Sequence, residues 1–203
     1  MIDEALVERA TEFVRQAFAD DASGHDAHHT LRVFRLARRT AEEEGADVGI
    51  VSLAALLHDV DDHKISPETH ATLARARAFM EGQGLAADEV DQVLAAIREV
   101  SFSENGDRPP SSPEAACVRD ADRLDAIGAI GIARAFAFGG AHGRSMHNPD
   151  ADDASTTISH FHDKLLLLAD MMCTDAGRRL AKGRDATLRR FLDDFMAEWD
   201  GLR

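Results

Sequence analysis

The chain has 203 residues, the size of one ordinary domain, and 44% of them are hydrophobic, which is enough to form a buried core. Because 23 Lys and Arg stand against 37 Asp and Glu, the formal net charge is −14. This charge argues against a protein that binds nucleic acid or an anionic membrane through broad electrostatic attraction. We therefore expect neither as a partner, and any polyanionic ligand would need local positive charge.

Apolar residues recur at helical spacing along nearly the whole chain, as in residues 2–17, 31–41 and 90–97. No segment shows the alternation typical of a strand. Residues 48–57 are apolar on almost every side, which predicts a helix buried in the middle of a bundle. The sequence therefore predicts an all-α fold, a single-domain helical bundle of about seven to nine helices over residues 1–203.

Several residues are typical of helix boundaries. Gly45 is placed to end one helix, and Asp47 can cap the buried helix that follows. The pairs Ser66-Pro67 and Ser112-Pro113 each combine an N-cap residue with proline at the first helical position. We expect a helix to begin at each pair.

Two segments lack helical spacing and are predicted as loops, over 103–112 and 139–155. The second is long for a compact domain and is typical of a lid or binding loop. Beyond it, the C-terminal helices are predicted within 156–199, as a long helix over 158–172 and a last one over 188–199.

The N-terminus and the cysteines indicate a cytoplasmic protein. The chain opens with acidic residues and has no basic stretch followed by an apolar one. Cys117 and Cys173 form no CxxC pair, so the sequence predicts neither a thiolate metal site nor a disulfide framework. No run approaches the roughly 18 apolar residues of a membrane span.

His58 and Asp59 are the most informative pair, because they stand at the end of the buried helix, where a carboxylate and an imidazole need partners. Imidazole nitrogen and carboxylate oxygen suit a divalent ion such as Mn, Fe, Co, Zn or Mg. Two ligands are insufficient. We expect the others from GHDAHHTLRV at 24–33 and from RDADRLDAIG at 119–128.

The order His29, His58-Asp59, Asp122 resembles the H…HD…D signature of the HD-domain superfamily of metal-dependent phosphohydrolases, which is an all-α family. The chain is most similar to the small stand-alone bacterial members. The motifs that carry this resemblance occur in order as GHDAHHTLRV, LAALLHDVDDHK, DADRLDAIGAIGIAR and HFHDKLLLL. Together they span about residues 24–168 of the sequence.

The resemblance implies that His29, His58, Asp59 and Asp122 hold one divalent metal ion. The ion would be Mn, Co, Fe, Mg or Zn, with Mn favoured. His28 is one residue off the family position, and Asp122 is the acid that precedes Arg-Leu in the family pattern. Four protein ligands would leave about two positions for a water and a phosphate oxygen.

The resemblance also implies catalytic and substrate-binding roles. Asp62 would orient the attacking water beside the catalytic pair His58 and Asp59, and it would share a helix face with them if the helix continues. Lys164 stands four residues after His160, and the two would form a phosphate-binding wall with Arg144. The predicted substrate-binding residues are Arg32, Lys64, Arg144, His160, Lys164 and Asp125.

One segment departs from the family pattern. Where family members often have His and Lys, this chain has Glu99 and Ser103. This puts in doubt any phosphate-clamping role for the segment, and leaves the role of the 103–112 loop open.

The sequence thus predicts a hydrolase that acts on a small phosphorylated metabolite, with a nucleotide favoured, and releases either phosphate or pyrophosphate. One alternative is a non-catalytic module that binds nucleotide and metal to regulate a partner. Another is a two-metal oxygenase or cyclic-dinucleotide hydrolase of the same superfamily. That alternative needs more histidine ligands, and only His63 and His70 lie between Asp59 and Asp122. Oligomeric state is not predicted.

Overall fold

A computed structural model describes residues 2–19, 27–63, 66–149 and 156–203. These residues form ten α-helices and one 3-10 helix and contain no strand, which confirms the all-α prediction, with one α-helix more than the expected range. The α-helices are α1 (Glu4–Ala17), α2 (Ala27–Glu44), α3 (Val48–Leu57), α4 (Ala74–Gly82), α5 (Ala87–Arg98), α6 (Phe102–Asn105), α7 (Pro113–Asp125), α8 (Gly128–Ala141), α9 (Thr157–Asp163) and α10 (Asp175–Trp199).

The chain divides into two compact units, residues 1–122 and 123–203, and the boundary falls within α7. The single domain expected from the sequence stays a prediction.

The first unit is built around α3, which contacts α1, α2 and α5. Every side chain from Leu53 to Leu57 is fully buried, as its apolar sequence predicts. Gly45 adopts a left-handed conformation, with φ of 73°, just beyond the end of α2. Asp47 then caps α3, since its Oδ1 accepts hydrogen bonds from the backbone N–H groups of Gly49 and Ile50 at 2.8 and 3.0 Å.

The two serine-proline pairs behave differently. Helix α7 begins at Pro113, and Ser112 Oγ accepts from the N–H of Ala115 at 3.1 Å, as predicted. The prediction of a helix beginning at Ser66-Pro67 is wrong, because residues 67–73 form turns and α4 begins only at Ala74. The hydroxyl of Ser66 accepts from the Arg75 guanidinium at 2.6 Å instead of capping a helix.

In the second unit, α8 contacts α9 and α10, and three phenylalanines pack together with ring centroids less than 6 Å apart: Phe136, Phe161 and Phe191. The prediction of one long helix over 158–172 is wrong, because the helix is interrupted. It breaks at Lys164, where φ is −139°, and a 3-10 helix, Leu165–Met171, follows. The three-residue period of that helix buries both Leu165 and Leu168.

Helix α8 extends through Ala141, so the loop predicted from residue 139 begins at 142. Its last part, 150–155, lies outside the described residues. No single helix in the described ranges has the length and apolar character to cross a membrane. Helices α7 and α8 meet that test only when joined across their bend, a result that core helices of globular proteins also give.

Candidate metal centre

His58 is oriented by the end of α3. Its Nδ1 lies 2.9 Å from the carbonyl oxygen of Ala55, and since a carbonyl only accepts, Nδ1 is the donor and Nε2 is the ring nitrogen left to face the cluster. This Nε2 is buried and has no hydrogen-bond partner among the described residues. Asp59 Oδ1 lies 3.2 Å from it, without the geometry of a hydrogen bond. A ring nitrogen and a carboxylate oxygen this close can both be ligands of one cation.

His29, from the first turn of α2, faces the same space. Its side chain is 1% exposed, and its Nε2 lies 3.4 Å from both Asp59 Oδ2 and Asp122 Oδ1. The rings of His29 and His58 are 5.4 Å apart and inclined at 70°. Neighbouring His28, by contrast, is exposed. The fold therefore brings His29, His58, Asp59 and Asp122 together within the first unit.

Asp122 lies on α7 and keeps 30% of its side chain exposed. Its burial acts to raise the pKa of the carboxyl, but the hydrogen bond from His29 and the charges of His29 and His58 outweigh that effect and leave the pKa below its ordinary value. Asp122 is thus an ionised carboxylate at the edge of the cluster.

The donor set fits a divalent metal ion. One ligand atom each from His29, His58 and Asp59 lie within 4.8 Å of one another, and all three residues are buried. Imidazole nitrogen and carboxylate oxygen are common ligands of Mn, Fe, Co and Zn ions. The bond from His58 Nδ1 to a backbone carbonyl is the support that metal-binding histidines usually have. With the buried Nε2 of His58 lacking a hydrogen-bond partner among the described residues, this cluster could hold a metal ion.

The turn after Asp59 places Asp62 near the cluster. Helix α3 ends at Leu57, so Asp62 does not share a helix face with His58; instead its backbone N–H donates to Asp59 O at 3.1 Å. The Asp62 side chain is 25% exposed. Arg32 lies one turn after His29 on α2 and is half-buried. Lys64 lies outside the described residues.

The second unit holds the remaining predicted residues. Burial lowers the pKa of His160, the charges of Lys164 and Arg144 lower it further, and the charge of Asp163 acts in the opposite direction. Asp125 is buried, and its Oδ2 accepts from Arg134 Nη1 at 2.7 Å. This pair stabilises the fold locally, and substrate contact by Asp125 stays a prediction.

Sequence reasoning missed two contributors to the first unit's site. One is the carbonyl of Ala55, which sets the tautomer of His58. The other is Asp61, which is buried directly beside Asp62. Nothing in the sequence separates the two adjacent acids, because both belong to the same short acidic run.

Comparison with known proteins identifies the family. The family model described as HD domain matches residues 26–127, just over half of the chain. The uncharacterized protein YpgQ of Bacillus subtilis is 38% identical over 197 residues, which cover 96% of this chain and 94% of YpgQ.

Solved structures agree. YpgQ in complex with ADP aligns with a TM-score of 0.82 and 34% identity, over 97% of this chain and 100% of that one. A Bacillus thuringiensis protein described as an HD-superfamily hydrolase aligns with a TM-score of 0.81 and 38% identity, over 97% and 98% of the two chains. A Lactobacillus plantarum protein aligns with a TM-score of 0.84 and 39% identity, over 99% and 100%. The resemblance seen in the sequence is confirmed, and the chain belongs to the HD domain family.

Proposed function

We propose that this protein is a metal-dependent phosphohydrolase that cleaves a nucleotide or similar small phosphorylated metabolite. The observation that carries the proposal is the buried, unpartnered Nε2 of His58, which faces the carboxylate of Asp59 at 3.2 Å. His29 and Asp122 complete the proposed ligand set for one divalent ion, and the family resemblance favours Mn.

A bound divalent cation would supply a Lewis acid that makes water more acidic and offsets negative charge on a phosphoryl group. The protein's own residues supply the positioning. His29 lies in the first turn of α2 and Asp59 in the turn that follows α3. We propose that the Asp62 carboxylate, which is partly exposed, orients the attacking water.

Support for a nucleotide substrate comes from YpgQ, whose crystal structure contains ADP. A chain of net charge −14 repels such an anion unless positive charge near the site makes the electrostatic potential there positive. We propose that the cation and Arg32 do this in the first unit, and that Lys64 and the basic side chains of Arg144, His160 and Lys164 bind phosphate oxygens. Activity without metal is therefore expected to be essentially nil.

The test is a release assay for phosphate and pyrophosphate over a panel of nucleoside mono-, di- and triphosphates with Mn, Co, Mg or Zn. His58→Ala and Asp59→Ala are expected to reduce turnover by more than about 100-fold, because losing a ligand costs more than losing a residue that only supports one. His28→Ala, which changes the exposed neighbour of His29, is the matched control and is expected to retain turnover.

The product decides between phosphate and pyrophosphate release, which the sequence leaves open. Absence of either product above the background of the His58→Ala variant, on every substrate and metal, would overturn the proposal. Saturable nucleotide binding in that case would favour the alternative of a regulatory binding module.

A further inference from the structure

Asp61 connects the turn that carries Asp59 and Asp62 to helix α4. The side chain is almost fully buried, with 1% of the residue exposed. Its Oδ1 accepts from the backbone N–H of Arg75 at 3.2 Å, and its Oδ2 accepts from that of Ala76 at 2.9 Å. Asp61 therefore caps the N-terminus of α4 from outside the helix.

Helix α4 needs this external cap. The residue at its N-cap position is Leu73, which has no side-chain oxygen and makes no side-chain capping bond. Leu73 also adopts a left-handed conformation, with φ of 53°, the only non-glycine residue with positive φ in the described part of the chain. That conformation costs about 1 kcal/mol for a residue with a Cβ. The Asp61 carboxylate satisfies the N–H groups that the N-cap side chain leaves unpaired.

Further bonds hold the same turn from the same side. His70 Nδ1 donates to the carbonyl of Asp61 at 3.0 Å. Arg75 Nη1 donates to the carbonyl of Val60 at 2.9 Å and to Ser66 Oγ at 2.6 Å. Two successive carbonyls and one carboxylate of the turn are thus fixed by His70 and by the first turn of α4.

This support matters because α3 ends at Leu57. Beyond that point the helical ladder no longer holds the backbone, and the described backbone bonds within the turn are those from Val60 N to Leu57 O and from Asp62 N to Asp59 O. Asp59 lies two residues before Asp61, and Asp62 directly follows it. A shift of the turn would move both carboxylates relative to His29 and His58 on their helical supports.

We infer that Asp61 is a positioning residue, which fixes the carboxylates of Asp59 and Asp62 by holding their turn against the N-terminus of α4. The inference rests on the proposed function in one respect, namely that Asp59 is a metal ligand. It assigns a role to an acid whose side chain is hydrogen-bonded to the backbone of α4 and not to the ligand cluster.

The test measures Mn²⁺ affinity of the full chain by isothermal titration calorimetry for wild type and Asp61→Asn. Asparagine keeps the size and one acceptor oxygen but loses one of the two capping bonds. Affinity is expected to fall about tenfold, the lower end of the range for residues that support metal ligands. In turnover assays kcat is expected to fall while KM for the nucleotide changes little.

Asp3→Ala is the matched control. Asp3 caps α1 by accepting from the N–H of Leu6 at 2.8 Å, so this change removes a helix cap in the same unit without touching the turn. Both variants are expected to lower the midpoint of thermal unfolding, but only Asp61→Asn should lower Mn²⁺ affinity. Equal Mn²⁺ affinity in wild type and Asp61→Asn would overturn the inference and leave the proposed function intact.

If wild type fails to bind any of the divalent ions, the proposed function itself fails. If Asp61→Asn does not fold, His70→Ala gives the decision, because His70 is partly exposed and holds the same turn through one bond. That variant is expected to lower Mn²⁺ affinity about threefold, a smaller loss than for the capping carboxylate. Unchanged affinity in His70→Ala would then overturn the inference.

Discussion

The Nε–H of Arg119 donates to the backbone carbonyl of Glu99 at 2.7 Å, which ties the interior of α7 to the residue that directly follows α5. Arg119 is 1% exposed, and its guanidinium also donates to the carbonyl of Arg108. The Glu99 carboxylate accepts in turn from the N–H and hydroxyl of Ser111. Glu99, where the sequence departs from the family pattern, thus anchors the segment that leads to α7.

Replacing Arg119 by methionine is expected to lower the free energy of unfolding by about 3 kcal/mol, because two backbone carbonyls lose a buried donor and Glu99 loses its nearby cation. Urea unfolding followed by circular dichroism measures this. Arg98→Met is the control, since Arg98 is exposed, and it is expected to change stability by less than about 1 kcal/mol. Similar losses in both variants would contradict the anchoring role.

His29→Ala is expected to abolish Mn²⁺ binding, because His29 belongs to the candidate ligand cluster. His28→Ala is expected to change Mn²⁺ affinity by no more than about twofold, because His28 is exposed and lies outside that cluster. Calorimetry in two buffers of different ionisation enthalpy also reports protons released on binding. Wild type should release protons, since coordination requires a neutral imidazole and an ionised carboxylate. Comparable Mn²⁺ affinity in the two variants would show that His29 is not a ligand.

Much of the fold follows from apolar spacing. Helix α3 is predicted because residues 48–57 are apolar on every side, and the structure buries them. The start of α4 and the break at Lys164 are not predictable in this way. Local patterns favoured a start at Ser66, but a hydrogen bond from Arg75, nine residues later, takes its hydroxyl.

The site, like the fold, is only partly predictable from the sequence. The ordered motifs predict four metal ligands, and the fold brings them together: His29, His58, Asp59 and Asp122. The support around them is not visible in the sequence. Asp61 accepts hydrogen bonds from backbone N–H groups. Every residue except proline carries such a group, so the residue types in the sequence do not indicate which residues Asp61 contacts.

The pair His70 and Glu104 should make stability depend on pH. The hydrogen bond to Glu104, at 2.9 Å, and that to the Asp61 carbonyl raise the pKa of His70 above the ordinary 6.5. Because the folded pKa is raised, the pair's contribution is fully present below pH 6.5 and is lost as pH rises through the folded pKa.

Glu104→Gln is therefore expected to destabilise the protein by about 0.5 kcal/mol at pH 6 and by close to zero at pH 9, since the side chains are 33% and 49% exposed. Urea unfolding at the two pH values gives the difference. Glu81→Gln is the control, because its partner Arg77 stays charged across this range and its effect should not vary. An effect of Glu104→Gln that is the same at both pH values would rule out the His70 linkage.

Two glycines of α8 offer a matched test of packing in the second unit. A Cβ built at Gly131 would lie 2.2 Å from the carbonyl oxygen of Ala126, whereas a Cβ at Gly140 meets nothing within 4 Å. Neither position has positive φ, so the two differ in space and not in backbone strain.

Gly131→Ala is expected to cost about 2–4 kcal/mol of unfolding free energy, because the clashing oxygen belongs to the backbone and can yield only if the start of α8 shifts. Gly140→Ala is expected to be neutral or to stabilise by up to about 1 kcal/mol, since alanine has the higher helix propensity. Urea unfolding of the two variants measures both. If Gly131→Ala is as stable as Gly140→Ala, the close approach of Gly131 to Ala126 does not exist in solution.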